Sequence, residues 1–333
     1  MKNLVKVGLL AAVAMTATPA MAALTVFQQF TGKYGLSTDG GGGMGSGYTV
    51  TAWAPVGATV EAAWLYQSGF GSDGIEEPHG VSLNGNALTF GSAVFDRSDS
   101  WVTLFSARAD VTSLVAPIIN GGPGGAYNFN IRETRSFGAS ATDGVALVVV
   151  YSDPSLTSNR TIAILDGFAD PWGDEFTFTA SRGMNPNAAG FSAELRLGIG
   201  YSNPFANQST EITVNGTLIT KEAGGSDDGL GWPNNGQLIT VGGNDDPFSA
   251  PMPLKENDRE RYNLVPYINR GDTTIRVNTI NYSIDENLFL AAFMINEGLV
   301  TVPEPATWAM MIVGFGLVGF ATRRREKMAR VSA

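Results

Sequence analysis

The chain has 333 residues, with 21 basic against 31 acidic side chains, one histidine and no cysteine. A chain this acidic repels nucleic acid and anionic lipid, so nucleic acid is excluded as a partner. Without cysteine there are neither disulfides nor thiolate metal sites, and stability has to come from a buried core. Charged residues are only 16% of the chain and glycine occurs 41 times, a balance that suits many short strands joined by tight turns.

At the N-terminus Lys2 and Lys6 precede an apolar run, Val7 to Ala17, and then Pro19-Ala20-Met21-Ala22. This is the layout of a secretory signal peptide, residues 1–22, cut after Ala22. Residues 23–302 are expected to form an extracytoplasmic β-sandwich region. Early in it Ser37 to Gly47 reads STDGGGGMGSG, which predicts a flexible loop, because so many glycines favour no regular element. The Gly-Lys-Ser/Thr ending of a phosphate-cradling loop is absent.

Strand patterns follow. Thr59 to Gln67 places Val60, Ala62, Trp64 and Tyr66 on one face, which predicts a half-buried strand. Val81 to Phe90 holds Asn84-Gly85 and Ile212 to Ile219 holds Asn215-Gly216, dipeptides suited to the left-handed torsions of a two-residue hairpin turn. Val145 to Tyr151, VALVVVY, is apolar on both faces and predicts a central strand covered on both sides. In Phe191 to Tyr201 the leucines 195 and 197 and Ile199 point to a core, while Glu194 and Arg196 point to a wet face. Ile275 and Val277 are out of phase with Ile280, Tyr282 and Ile284, which predicts a bulge near Asn278. Leu288 to Ile295 fits either a last buried strand or a short helix, and the surrounding strand patterns favour the strand. No repeat with a period of about 20 to 50 residues is evident. The expected fold is all-β: an antiparallel sandwich of jelly-roll or immunoglobulin-like type, either one sandwich or two packed together.

Few residues offer chemistry. His79 is the only histidine, no G-x-S-x-G elbow accompanies it, and zinc motifs lack ligands. Carboxylate pairs suited to a glycosidase or lyase cannot be ranked by spacing. Two loops set a tryptophan among carboxylates and amides: Asp170 to Glu175 around Trp172, and Asp227 to Asn235 around Trp232. An indole can stack on a sugar ring, and hard oxygen donors can hold calcium, so Trp172 and Trp232 are candidate glycan platforms. Asp227, Asp228, Asp245 and Asp246 are weak calcium candidates, and no other cofactor is expected. Trp53, Trp64 and Trp101 read as core. The threonine pairs Thr49/Thr51 and Thr177/Thr179 are too isolated for the flat array that ice binding requires.

The tail is the most specific stretch. Pro303-Glu304-Pro305 is followed by an uncharged apolar run, 306–322, and a basic end, 323–333, that holds Arg323, Arg324 and Arg325. As a single membrane helix the run would reach about 26 Å against a bilayer core of about 30 Å, enough to anchor when Arg323 snorkels. Trp308 would sit at headgroup level and the arginines in the cytoplasm, which leaves the preceding chain outside. Gly314, Gly316 and Gly319 spell G-x-G-x-x-G inside this run, without the strand and acidic partner that a dinucleotide site needs.

Pro303-Glu304-Pro305-x-x-Trp308-Ala309-Met310-Met311 with its basic end resembles the PEP-CTERM sorting signal of Gram-negative bacteria. The resemblance implies an inner-membrane-anchored precursor and an exosortase-type membrane enzyme that cuts near the triplet. It further implies a final place on the cell surface or in an exopolysaccharide matrix. With both ends removed the chain loses seven of its 21 basic residues and one of its 31 acidic ones, leaving a net charge of −16. Between Ala109 and Phe168, the runs Asp110-Val111-Thr112, Ala146 to Tyr151 with Asp153-Pro154, and Asp166-Gly167-Phe168 resemble uncharacterised secreted β-domains of bacterial surfaces. The function expected is structural or adhesive and not enzymatic, within a matrix or biofilm. The alternatives are a carbohydrate-binding module, then a glycosidase or lyase, then an ice-binding protein.

Overall fold

The computed structural model describes residues 24–43, 47–71, 80–96, 103–134, 140–170, 172–202, 210–224, 229–230, 238–283, 287–297 and 299–300. The proposed signal peptide (residues 1–22), His79, Trp101, Asp227, Asp228, Trp232 and the whole tail lie outside these residues. No helix among the described residues is long and apolar enough to cross a membrane.

The protein is all-β, with antiparallel sheets in two sandwiches. The first half supplies β1 (Thr25–Gly32), β2 (Tyr34–Gly43), β3 (Gly47–Ala54), β4 (Thr59–Gly71), β5 (Val81–Leu83), β6 (Asn86–Ala87), β7 (Val94–Asp96), β8 (Thr103–Asp110), helix α1 (Thr112–Ile119), β9 (Gly125–Glu133) and β10 (Ser140–Ser152). The second supplies β11 (Arg160–Asp166), β12 (Asp174–Ala180), β13 (Ala193–Ser202), β14 (Thr210–Val214), β15 (Thr217–Ala223), β16 (Gly229–Leu230), β17 (Leu238–Val241), β18 (Arg261–Asn263), β19 (Thr274–Asn281), β20 (Asn287–Ile295) and β21 (Leu299–Val300).

In the first sandwich the strand orders are β2-β10-β4-β8 and β3-β9-β5-β6; in the second they are β11-β20-β13-β17 and β12-β19-β14-β15. Each is the order of a jelly roll, in which the chain alternates between sheets instead of completing one before starting the other. The two inner sheets exchange strands: β1 joins the second roll beside β11, and β16 joins the first roll in parallel beside β2.

Three cores stack the four sheets. Val145, Leu147 and Val149 of β10 face the first outer sheet, where they meet Val50, Phe129 and Ile131. The alternate residues Ala146, Val148 and Val150 face the second roll, where they meet Ile162, Ile164 and Ala292. Ala291, Phe293 and Ile295 then pack on Phe178, Ile275 and Val277 of the second outer sheet, with Phe178 and Phe293 stacked at 3.9 Å. At about 1.5–3 kcal/mol for each fully buried large side chain, every interface contributes tens of kcal/mol against chain entropy.

The layering explains why several strands differ from their sequence patterns. Thr59 to Gln67 is covered on both faces from Ala63 onward, because the second roll lies where solvent was expected. Its register shifts between Val60 and Ala62, so these two residues face different cores. Glu194 and Arg196 are buried for the same reason. Ser37 to Gly43 belongs to β2 and is not a loop. A Cβ on Gly42 would run into the Asp143 carbonyl and Ile239, and one on Gly144 into the Gly41 carbonyl. Glycine is therefore required there by close backbone approach. No bulge lies in β19: Ile275, Val277, Thr279 and Asn281 keep one inward phase, and Tyr282 is exposed. Helix α1 has Val115 and Ile119 buried one turn apart, and Asp110 Oδ1 accepts the Thr112 N–H at 2.9 Å.

The two rolls share one strand order, and two segments of their outer sheets align. Thr49 lies opposite Asn130 and Thr51 opposite Asn128, as Thr177 lies opposite Arg276 and Thr179 opposite Thr274. Tyr48-Thr49-Val50-Thr51-Ala52 thus corresponds to Phe176-Thr177-Phe178-Thr179-Ala180, and Val81 to Leu88 (VSLNGNAL) to Ile212 to Ile219 (ITVNGTLI). The separation is about 130 residues, well beyond the period over which no repeat was evident.

Candidate functional site

Both hairpin turns form as their sequences require. Asn84 and Gly85 have φ of 49° and 80°, and Asn215 and Gly216 have 48° and 78°, the left-handed pair of a tight hairpin. Each turn is tied to the sheet beside it. The Asn84 N–H donates to the Asn130 carbonyl and the Asn130 N–H to Asn84 Oδ1, both at 2.8 Å. Asn215 and Arg276 make the same reciprocal pair, both at 2.9 Å.

These turns wall a groove on each outward sheet face. The first encloses about 930 Å³ and is lined by Thr49, Asn84, Asn128, Asn130 and Arg132 together with backbone. Among the described residues Arg132 is the one charged side chain lining it. Trp53, the next outward position on β3 after Thr51, is 38% exposed and so stands on a face, not in a core. Trp64 by contrast is buried between the rolls, with Phe27 set edge-on at 5.3 Å. The second groove encloses about 550 Å³ and is lined by Asn215, Thr274, Arg276 and Asn278, joined by Glu175 and Asp272.

Trp172 is displayed to solvent. Asp170 Oδ1 accepts its N–H at 2.9 Å and the Asp170 carbonyl accepts the Gly173 N–H at 3.0 Å, a turn that leaves the indole 70% exposed. It therefore caps no core, which leaves its face available for stacking.

Asp245 and Asp246 lie in a loop that meets β2 at the junction of the rolls. Asn244 Oδ1 accepts the Thr38 N–H at 3.1 Å and the Asn244 N–H donates to the Thr38 carbonyl at 3.0 Å, so one residue imitates a strand partner. Asp39, which sequence spacing gave no reason to join to them, faces the two aspartates across Gly243. Asp39 accepts the N–H groups of Gly40, at 3.0 Å, and Thr51. Burial, then repulsion from Asp245, push its pKa up to about 8. Burial also raises Asp245. Asp246 Oδ2 is engaged by the Gly243 N–H at 2.8 Å. Among the described residues no group of three or more acidic or histidine side chains is arranged to hold a metal ion.

A guanidinium balances the buried charge. Arg196 pairs with Glu194 and donates to Asn244 Oδ1 and, at 2.8 Å, to Thr38 Oγ1. Burial lowers its pKa. Farther along the same loop Asp258 is fully buried and accepts hydroxyls from Thr220, Ser249 at 3.0 Å and Tyr262 at 2.9 Å. Such groups must be hydrogen-bonded to be buried at all. They fasten the long connection from β17 to β18 and the joint between the rolls.

Fold and surface together define an all-β protein of two antiparallel jelly rolls with polar outward faces. Residues 301–325 match the family model of the PEP-CTERM protein-sorting motif, so the chain carries that sorting motif. The match takes in Pro303, Glu304, Pro305, Trp308, Arg323, Arg324 and Arg325. It marks an exported chain with a membrane-anchored precursor that an exosortase-type membrane enzyme processes. No curated protein and no solved structure matches the chain.

Proposed function

We propose that the processed chain is a structural or adhesive component of the cell surface or of an exopolysaccharide matrix, with no catalytic role. The sorting motif at residues 301–325 carries this reading, because it supplies export and release and leaves the two rolls as the working part. The composition suits the role: a chain without cysteine depends on no disulfide, and its strong negative charge keeps it soluble outside the cell. A second reading, a carbohydrate-binding module, is favoured by the exposed indole of Trp172.

Cell fractionation tests the leading reading. The chain should be found in the surface or matrix fraction, and a variant with Pro303, Glu304 and Pro305 all changed to alanine should stay in the inner membrane. Equal distribution of the two chains would refute it.

A further inference from the structure

We propose that the two outward sheet faces are a matched pair of glycan-binding surfaces. Each takes one strand of an uncharged, hydroxyl-rich polysaccharide, so that one molecule bridges two strands. The inference rests on the adhesive reading only for where the polysaccharide comes from; the binding itself rests on the faces.

The first support is the retained pattern. The cores beneath the two faces have diverged, with Val50 where the second roll has Phe178 and Phe129 where it has Ile275. On the outward side the Thr-x-Thr pair and the Asn-Gly turn recur at matching positions, and the neighbouring strand carries polar residues in both rolls, Asn128, Asn130 and Arg132 in the first and Thr274, Arg276 and Asn278 in the second. Exposed strand positions tolerate substitution at little cost in stability. A pattern kept there in both rolls answers to something the faces touch.

The second support is chemical. An asparagine amide both donates and accepts, as a sugar hydroxyl does, threonine hydroxyls do likewise, and a guanidinium fork can donate to two neighbouring hydroxyls. Trp53, on the same face as Thr49 and Thr51, adds a flat apolar surface on which a pyranose ring can lie. The groove volumes, about 930 and 550 Å³, suit a short run of sugars.

Charge decides against an acidic polysaccharide. The chain carries a net −10, and Glu175 and Asp272 line the second groove, so a polyanion would be repelled from a face whose counterpart carries a single arginine. Geometry decides for bridging. The two faces look outward from opposite ends of a four-sheet stack, and three intersheet gaps of about 10 Å put them roughly 30 Å apart. One extended strand cannot lie in both grooves.

The test uses protein purified from its own cells, wild type and variants, with dextran, galactomannan and a β-glucan as neutral probes and alginate as the polyanion. Wild type should be retarded in a gel containing at least one neutral polysaccharide, titrate a short oligosaccharide of that polymer at two sites per molecule, and cross-link the long polymer into turbid aggregates. N128A/N130A and R276A/N278A should each leave one site and abolish cross-linking, and the four-residue variant should lose at least tenfold in affinity. Thermal melting of every variant should match wild type; any that does not is replaced by its serine or lysine counterpart, N128S/N130S or R276K. Retardation by no neutral polysaccharide, retardation by alginate alone, a single site in wild type, or full binding by a folded four-residue variant would each overturn the proposal. Processing and location are read separately, so failure here leaves the sorting account standing, and failure of sorting leaves the binding result intact.

Discussion

Replacing Asp39 with asparagine should change the sign of its effect on stability between pH 4 and pH 8. Asp39 has a folded-state pKa of about 8 against 3.8 for the model carboxyl, so between these values the folded chain holds a proton that the unfolded chain releases. Stability from this group is complete below about pH 4 and falls as pH rises through 8. At about 1.36 kcal/mol per pH unit the fall from pH 4 to pH 8 is at most about 5 kcal/mol. Relaxation of the Asp245–Asp246 loop brings a working figure nearer 2 kcal/mol. Asparagine removes this dependence but cannot accept both the Gly40 and Thr51 N–H groups through separate oxygens, which costs about 1 kcal/mol at every pH. The variant should therefore be about 1 kcal/mol less stable than wild type at pH 4 and about 1 kcal/mol more stable at pH 8. For a chain of this size that is a melting shift of roughly 2–4 °C in each direction. Urea unfolding at the two pH values, followed by tryptophan fluorescence, measures it. Equal destabilisation at both would mean that Asp39 is ionised throughout, and the reasoning would fail.

Two further outcomes follow from packing. Gly42→Val should cost about 3 kcal/mol or more and separate the rolls, because the Asp143 carbonyl and Ile239 leave no room for a side chain; denaturant midpoints give the loss, and a change under about 1 kcal/mol would contradict the close approach. Trp172→Ala should alter stability by no more than about 0.5 kcal/mol, since the ring is 70% exposed, while retention on a stacking polysaccharide should weaken by about 1 kcal/mol; a large drop in melting temperature would show that the indole does pack.

What could be read in the sequence was whatever is local. The Asn-Gly hairpins need only two residues and their torsions, and both formed as read. The sorting motif is linear, and its triplet, tryptophan and arginines stand in order along the chain. The continuous apolar run of β10 declares burial on both faces whatever lies beyond it. Layering was not legible. Polar Glu194 and Arg196 imitate a solvent face, and only the fold shows that Thr38 and Asn244 meet them there. The glycines of β2 look like a loop because the backbone they approach, at Asp143 and Gly144, lies about 100 residues away. Trp53 alternates as a core residue would, and its outward phase is fixed only by pairing with β9. Asp245 and Asp246 could be found as an acidic turn, but Asp39 comes from about 200 residues earlier and joins them through tertiary structure alone. The correspondence of the two rolls was hidden because the aligned segments share side-chain character more than identity, at a spacing of about 130 residues, and strand register was needed to align them.

Intact mass of the protein extracted from the surface of its own cells tests the central claim most directly. The account requires a chain that begins near Ala23 and ends near the Pro303-Glu304-Pro305 triplet, without the basic end. A mass that retains Arg323 to Ala333 would contradict it.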